Sequence, residues 1–269
     1  MNTAARSGWW VMGMLVAAAA EAGCSRPIEV PMAPVGLSVR FDGERSSGLY
    51  PALLRELGTA VGCEFQIHRV PRARLQKMFE SGQADVLIPA SSSPSRDGDG
   101  EFVPLIQVRA SLLTLASERP VPRSLAALAA LPDYKLAVVR GFTFGAAYDK
   151  AIAALRAQRR LIEEPDAGGV ARALREGLAQ ASIMTANIFV GTLVLDADLA
   201  PLVKQVRVDA LDELGWSESG VYLSRHTLAE ADRSVLRLAF TRSARSGRVW
   251  QLFNESYPPG SLGGSIRPL

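Results

Sequence analysis

Hydrophobic and polar positions along this chain switch repeatedly between a two-residue and a three-to-four-residue rhythm. Ile28–Val30 and Leu37–Phe41 read as extended, β-rich runs. Leu49, Leu53, Leu54, Leu57 and Val61 keep the spacing of one helix face, which Gly58 and Gly62 close. Phe65–Val70 alternates as a half-buried strand does. A second helix follows, with Pro71 near its start, Leu75, Met78 and Phe79 on one face, and Gly82 beyond its end. Val86-Leu87-Ile88 is the next strand, and it stops at Pro89. This β-α-β-α-β order predicts a parallel sheet covered by helices.

A second series resembles the first. Ser111–Ala116 reads as a strand and Glu118–Arg123 as a polar loop punctuated by proline. Lys135–Val139 is a strand, and the turn Arg140-Gly141-Phe142-Thr143-Phe144-Gly145 leads into a helix through Tyr148, Ile152 and Leu155. Leu161–Glu163 is a strand, Val170–Leu178 a helix stopped by Gly177, and Ala181–Met184 a short apolar strand. Val221–Ser224 opens a last section, where Leu236, Phe240, Val249 and Phe253 mark the core faces of two helices. No sequence repeat is present, yet the order of elements predicts two α/β halves of similar build.

Composition narrows the function. The chain has 269 residues, 48% hydrophobic and 21% charged, and its 30 basic residues are nearly balanced by 27 acidic ones. The basic residues are scattered, so no stripe fits a nucleic-acid backbone. The densest cluster, Arg156-Ala-Gln-Arg159-Arg160, reads as a solvated helix end. At the N-terminus Arg6 precedes an apolar run from Trp9 to four alanines, ending at Glu21-Ala22-Gly23. One positive charge, a short apolar core and a small-residue ending are the parts of a secretory signal peptide, here residues 1–22. The run is too short for a membrane span, and no later segment reaches the roughly 20 apolar residues that one needs. An exported, periplasmic protein is therefore expected.

Cys24 and Cys63 are the only cysteines. Two readings stand. In one, Ala22-Gly23-Cys24 is a lipoprotein cleavage site and Cys24 carries lipid, although Glu21 does not suit such a site. In the other, the two form a disulfide, because each precedes a predicted strand and adjacent parallel strands would bring them together. Closing a loop of about 40 residues would stabilise the fold by around 4 kcal/mol on a chain-entropy basis. With only these cysteines, His68 and His226, no metal site and no cofactor is expected.

Beyond Val86-Leu87-Ile88 come Ser91, Ser92, Ser93, Pro94, Ser95 and Arg96. Open parallel sheets bind ligands past the carboxyl ends of their strands. Ser93 and Pro94 suit the start of a helical turn, and Arg96 offers a planar fork for a carboxylate. An ordinary capped turn with a solvent-facing arginine satisfies the same residues.

Several stretches taken in order resemble the family 3 solute-binding proteins of bacterial ABC importers, over roughly residues 26–258. They are Ser47-Gly48-Leu49 with its leucine-rich helix, Gly82-Gln-Ala-Asp85-Val-Leu-Ile followed by Ser93-Pro-Ser-Arg96, and Val138-Val-Arg-Gly141-Phe-Thr143. Arg175-Glu-Gly177 with Ala181-Ser-Ile-Met, and Asp232 through Ala239-Phe240 to Gly247-Arg-Val-Trp and Tyr257-Pro258, complete the set. The resemblance implies an α/β, type II periplasmic-binding fold: two lobes, each a mostly parallel sheet flanked by helices, joined by two crossing strands. Lobe 1 would be residues 24–109 plus 218–269, and lobe 2 residues 110–217.

By position, Arg96 matches the arginine that pairs the ligand carboxylate, with Ser91 a hydroxyl beside it. Gly141 and Thr143 match the second-lobe turn that helps hold the same group. Arg72 falls where family side chains line the cleft. Thr185 stands where the family aspartate accepts an α-ammonium, and Gln180 replaces the preceding aspartate. A buried ammonium without a carboxylate partner costs several kcal/mol. An aromatic residue that often stacks on the ligand is also missing around Val35-Gly36. The expected ligand is thus a small carboxylate or other anion, or a solute gripped mainly by hydroxyls, rather than an ordinary amino acid. The expected partners are that small molecule and an inner-membrane permease, with the protein itself a monomer. A sensor that reports ligand without delivering it shares every one of these features. A dehydratase-like enzyme would need a general acid or base, for which His68 and Glu44 are thin candidates. No G-x-S-x-G nucleophile elbow is present.

Overall fold

A computed structural model describes residues 23–116 and 121–269. The signal-peptide reading of residues 1–22 lies outside the described residues. The chain opens with strand β1 (Ile28–Met32), the hairpin β2 (Arg40–Asp42) and β3 (Arg45–Ser47), helix α1 (Leu49–Val61), β4 (Phe65–Arg69), α2 (Arg72–Glu80) and β5 (Val86–Ser91). A short helix α3 (Pro94–Asp97), β6 (Gly100–Val108), β7 (Ser111–Leu115), α4 (Leu125–Ala129), β8 (Leu136–Val139), α5 (Ala146–Ala157) and β9 (Leu161–Glu164) follow. Then come α6 (Ala167–Arg175), β10 (Ser182–Met184), α7 (Ala186–Leu195), a 3-10 turn (Ala200–Gln205), β11 (Val206–Asp209), β12 (Ser217–Ser224), α8 (Glu230–Arg245), α9 (Arg248–Ser256) and β13 (Ile266–Arg267).

The two halves repeat one pattern. β1 pairs in parallel with β4, and Asp85, leading into β5, donates its N–H to Glu29 of β1. Likewise β8 pairs in parallel with β9, and Ala137 of β8 donates to Ala181, beside β10. Antiparallel strands extend both groups, in the orders β13-β6-β12-β5 and β10-β7-β11. The chain leaves the first half between β6 and β7 and returns between β11 and β12.

Period-2 alternation sends neighbouring side chains to opposite faces, and helices cover both faces. In β5, Val86 and Ile88 join a large core with residues of α1, α8 and α9, while Leu87 and Ala90 pack with Phe79 of α2. In the second half, Leu113, Ala137 and Val139 pack under α6 and α7, while Leu112, Leu136 and Val138 pack under Tyr148 and Ile152 of α5.

Three elements that the pattern does not announce carry the connections between halves. Helix α7 is apolar nearly all round, so it lacks a helical rhythm. Phe189 and Leu193 enter the second core, whereas Val190 enters the first. Gly191 of α7 meets the loop after β1 backbone to backbone: a Cβ there would lie 2.8 Å from Leu37 N and 3.1 Å from Gly36 Cα. Strand β6 follows an Asp-Gly-Asp-Gly stretch that reads as a break. Strand β13, only two residues long, docks on β6 at the crossing point. There Ser265, fully buried, receives the Arg109 N–H on its carbonyl (2.9 Å) and donates its hydroxyl to the Arg109 carbonyl (2.6 Å). That hydroxyl also accepts the N–H of Ala186 at the start of α7 (3.1 Å). Arg109 and Arg267 both lie over the Trp216 ring, at 4.7 and 4.2 Å from its centroid.

Cys24 and Cys63 form a disulfide, as the strand argument expects, since β1 and β4 start side by side. The Cys24 sulfur is thus engaged and is not free to carry lipid. The segment that follows is tied down twice more. Ser25 bonds through N–H and hydroxyl to the Asp232 carboxylate (2.9 and 2.5 Å), and Arg26 grips Asp85 with two bonds of 2.7 Å.

Candidate functional site

Strand β5 runs past Pro89 to Ser91, further than the apolar pattern implies. Proline has no N–H to give a ladder, and the β5–β12 register shifts between Gly220 and Tyr222, opposite this stretch. The strand therefore delivers Ser91, exposed, to the end of the sheet. Helix α3 follows with Ser93 before it and Pro94 first, the predicted order, though the Ser93 hydroxyl bonds Ser95 (2.8 Å) rather than capping. Tyr222, its ring fully buried, pins the turn: its hydroxyl accepts the Ser93 N–H (2.8 Å) and donates to Asp97 (2.8 Å).

This pinned turn places Arg96. Its Nε donates to Gln76 Oε1 (2.5 Å) and its Nη1 to the Ser91 carbonyl (2.9 Å). Gln76 in turn donates its amide N–H to Glu80 (2.6 Å), which aims its carbonyl oxygen at Arg96. Arg72 lies one helical turn before Gln76 on α2, so the two share a face. Arg72 is solvent-accessible, yet its pKa is lowered, first by burial and then by the charge of Arg96. Among the described residues no carboxylate pairs with either guanidinium.

The other predicted residues sit apart from this group. Gly141 takes a positive φ (+79°) in the turn after β8. Thr143, exposed in the same turn, donates its hydroxyl to the Asp149 carboxylate in the first turn of α5 (2.8 and 2.9 Å). That hydroxyl is already engaged, and a negative charge stands beside it. Thr185 is buried just before α7 and makes no capping bond; the adjacent Ala186 N–H goes to Ser265. Gln180 has a structural duty: its side-chain oxygen accepts the Lys135 N–H (2.7 Å) at the entry to β8. No hydrogen bond or ion pair among the described residues joins Thr143 or Thr185 to the Arg96 group.

The absence of an aromatic residue near Val35-Gly36 has a physical reason. Gly36 has φ +48°, and a Cβ there would lie 3.2 Å from Gly191 Cα, so α7 presses on this loop. Beside it, Tyr257 is hydrogen-bonded to Ser38 (2.8 Å) and Asn187; burial pushes its pKa up to about 12 against those bonds. His68 lies beside Glu29 (3.6 Å) on the β1–β4 pair, away from Arg96. Sequence reasoning missed Gln76, Tyr222, Asp149 and Ser265. Only Gln76 carried a signal, four residues after Arg72 on one helix face.

No family model and no curated protein matches the chain. Solved structures match its fold. The GluR0 ligand-binding core in complex with L-glutamate is 15% identical, with TM-score 0.66 over 87% of this chain and 99% of its own. EhuB in complex with hydroxyectoine is 16% identical, with TM-score 0.61 over 89% and 91%. A histidine kinase sensor domain with similarity to periplasmic binding proteins is 16% identical, with TM-score 0.62 over 87% and 98%. At such identities the likeness speaks for architecture: this chain has the two-lobed α/β fold of periplasmic ligand-binding proteins.

Proposed function

We propose that this protein captures a small carboxylate-bearing or otherwise anionic solute between two lobes and presents it to an inner-membrane ABC importer. Lobe 1 comprises residues 24–109 plus 218–269 and lobe 2 residues 110–217, with the chain exported to the periplasm by residues 1–22 and acting as a monomer. The observation that carries this reading is Arg96, held beyond β5 by Gln76 one helical turn from Arg72, beside exposed serine hydroxyls and with no carboxylate paired to either guanidinium among the described residues. Arg96 grips the carboxylate, Ser91 supplies a hydroxyl, and Arg72 adds charge. From lobe 2, the turn offers the N–H groups of Gly141 and Thr143, that of Phe142 being bonded to Val139, and Thr185 presents no charge to an amine. Closure needs only that the closed form make contacts that the open form lacks.

A sensing role is the second reading, favoured by the histidine kinase sensor domain and the Bordetella pertussis BvgS VFT2 domain among the structures of this fold. Both readings share one test of the site. A thermal-shift screen sets amine-free organic acids against standard amino acids, on the wild type and on Arg96→Ala. A cognate acid at about 100 times its Kd adds about 2.7 kcal/mol, or about 5–10 °C for a chain of this size. Arg96→Ala should abolish that shift and keep the fold. A shift that survives the substitution overturns the role of Arg96. Strong stabilisation by a standard α-amino acid overturns the amine-free ligand.

A further inference from the structure

Arg96 is held so that one edge stays open. Its Nε is on Gln76 and one Nη1 hydrogen is on the Ser91 carbonyl, which leaves both Nη2 hydrogens and the second Nη1 hydrogen without a protein acceptor among the described residues. Those hydrogens can meet a two-oxygen anion. The residue that orients it is a neutral amide. A carboxylate at position 76 would cancel the charge of Arg96, whereas Gln76, steadied by Glu80, fixes the geometry and leaves the charge uncancelled.

A second uncancelled guanidinium stands beside it. Arg72 shares the α2 face of Gln76 and feels the charge of Arg96. The acids on the adjoining elements bond other groups rather than either guanidinium: Glu80 holds Gln76, Asp97 holds Tyr222, and Asp99 lies against His226 (2.9 Å). Arg96 is bonded to Gln76, one helical turn from Arg72, and two like charges so placed repel until something neutralises both. We infer that the ligand of this site carries two negative charges, one met by Arg96 and the other by Arg72. The inference rests on the solute-binding reading above and narrows its ligand class to a dicarboxylate or a phosphate-type dianion without an amine.

Calorimetric titration of the full exported protein tests it. The probes are succinate and glutarate for dicarboxylates, inorganic phosphate for the phosphate source, and propionate as the monoanion. The expected result is a dianion bound at least about tenfold more tightly than propionate, with dicarboxylate or phosphate preference naming the source. Arg72→Gln should reduce that preference by about 10- to 100-fold, the worth of one charge-assisted hydrogen-bonded contact, and change propionate binding far less. Gln76→Glu keeps the size of the side chain and should weaken all these anions about tenfold or more, because its carboxylate pairs with Arg96. Propionate binding as tightly as every dianion, and lost in Arg96→Ala, overturns the dianion and leaves the solute-binding reading standing. A dianion preference that survives Arg72→Gln, or anion binding untouched by Gln76→Glu, overturns the assignment of the second charge. Binding of none of these anions overturns the anion site itself and this inference with it.

Discussion

Asp85 and Gln180 occupy the same joint in the two halves. Each follows a helix, precedes a strand, and accepts a backbone N–H from the neighbouring parallel strand: Glu29 N at 2.8 Å for Asp85, Lys135 N at 2.7 Å for Gln180. The chemistry then diverges. Asp85 is buried, and burial alone would raise its pKa. The two-pronged bond from Arg26, with that from the Glu29 N–H, outweighs burial and holds the carboxyl below its ordinary 3.8. Gln180 is neutral and partly exposed. One half thus closes its joint with an ion pair tied to the disulfide-anchored N-terminal segment, and the other with an amide that pH cannot touch. The ends proposed to face the ligand differ in the opposite sense. Lobe 1 leaves two arginines uncancelled, while lobe 2 has its own carboxylate, Asp149, on the Thr143 hydroxyl.

The joint offers the largest test. Asp85→Asn should cost about 2–4 kcal/mol at pH 7, because it removes the anion from a buried, doubly hydrogen-bonded pair whose cation is itself part exposed. Gln180→Ala should cost only about 1 kcal/mol, the worth of one neutral hydrogen bond. The pH dependence follows from the direction of the shift. A carboxyl whose folded pKa lies below its unfolded one stabilises fully above the unfolded value and loses that contribution as pH falls through the folded one. Urea unfolding should therefore show the gap between Asp85→Asn and wild type closing below pH 3.8, with no such closure for Gln180→Ala. Equal midpoints for Asp85→Asn and wild type at pH 7 would erase the distinction between the two joints.

Much of this architecture was legible in the chain, because alternating strands and amphipathic helices announce themselves wherever one face is buried. Strands β1, β4, β5 and β8, helices α1, α2 and α5, and the two terminal helices all fall where the rhythm puts them. Helix α7 was hidden because Val190 and Phe189 bury into different cores, so no polar face remains to set the period. Strand β13 was hidden because its existence depends on the edge of β6, not on its own two residues. The site divides likewise. Ser91 and Arg96 follow from the strand-end rule, but Gln76 lies 20 residues from Arg96, and Asp149 looked like any acid in a first helical turn. Partners set by tertiary approach leave no local mark.

The contact between the halves gives the intermediate test. Gly191→Ala should gain about 1 kcal/mol of helix propensity. Against this, the new methyl meets main-chain atoms of Gly36 and Leu37, and such overpacking costs about 1–3 kcal/mol. Backbone on both sides has little room to yield, so the clash wins and the net loss should be about 1–2 kcal/mol. Melting temperature and amide exchange at Leu37 read it. A more stable variant with unchanged exchange would show that α7 does not press on the Val35–Leu37 loop, and the two halves would then be joined only at their crossings.

The smallest effect is the most telling about the ligand. Asp149 is exposed, so Asp149→Asn should lose only the favourable placement of a charge at the start of α5, about 0.5 kcal/mol. The amide oxygen can still accept the Thr143 hydroxyl. Anion binding should move the other way. If the turn faces the bound anion as proposed, taking one negative charge from it removes a repulsion of up to about 1 kcal/mol at low salt, or about 2- to 5-fold in affinity. The gain should fade at 1 M salt, where screening reaches only about 3 Å. Succinate affinity that does not change at low salt would mean that Asp149 stands out of range of the ligand. Gly141 and Thr143 would then leave the site, and lobe 1 alone would carry the recognition of charge.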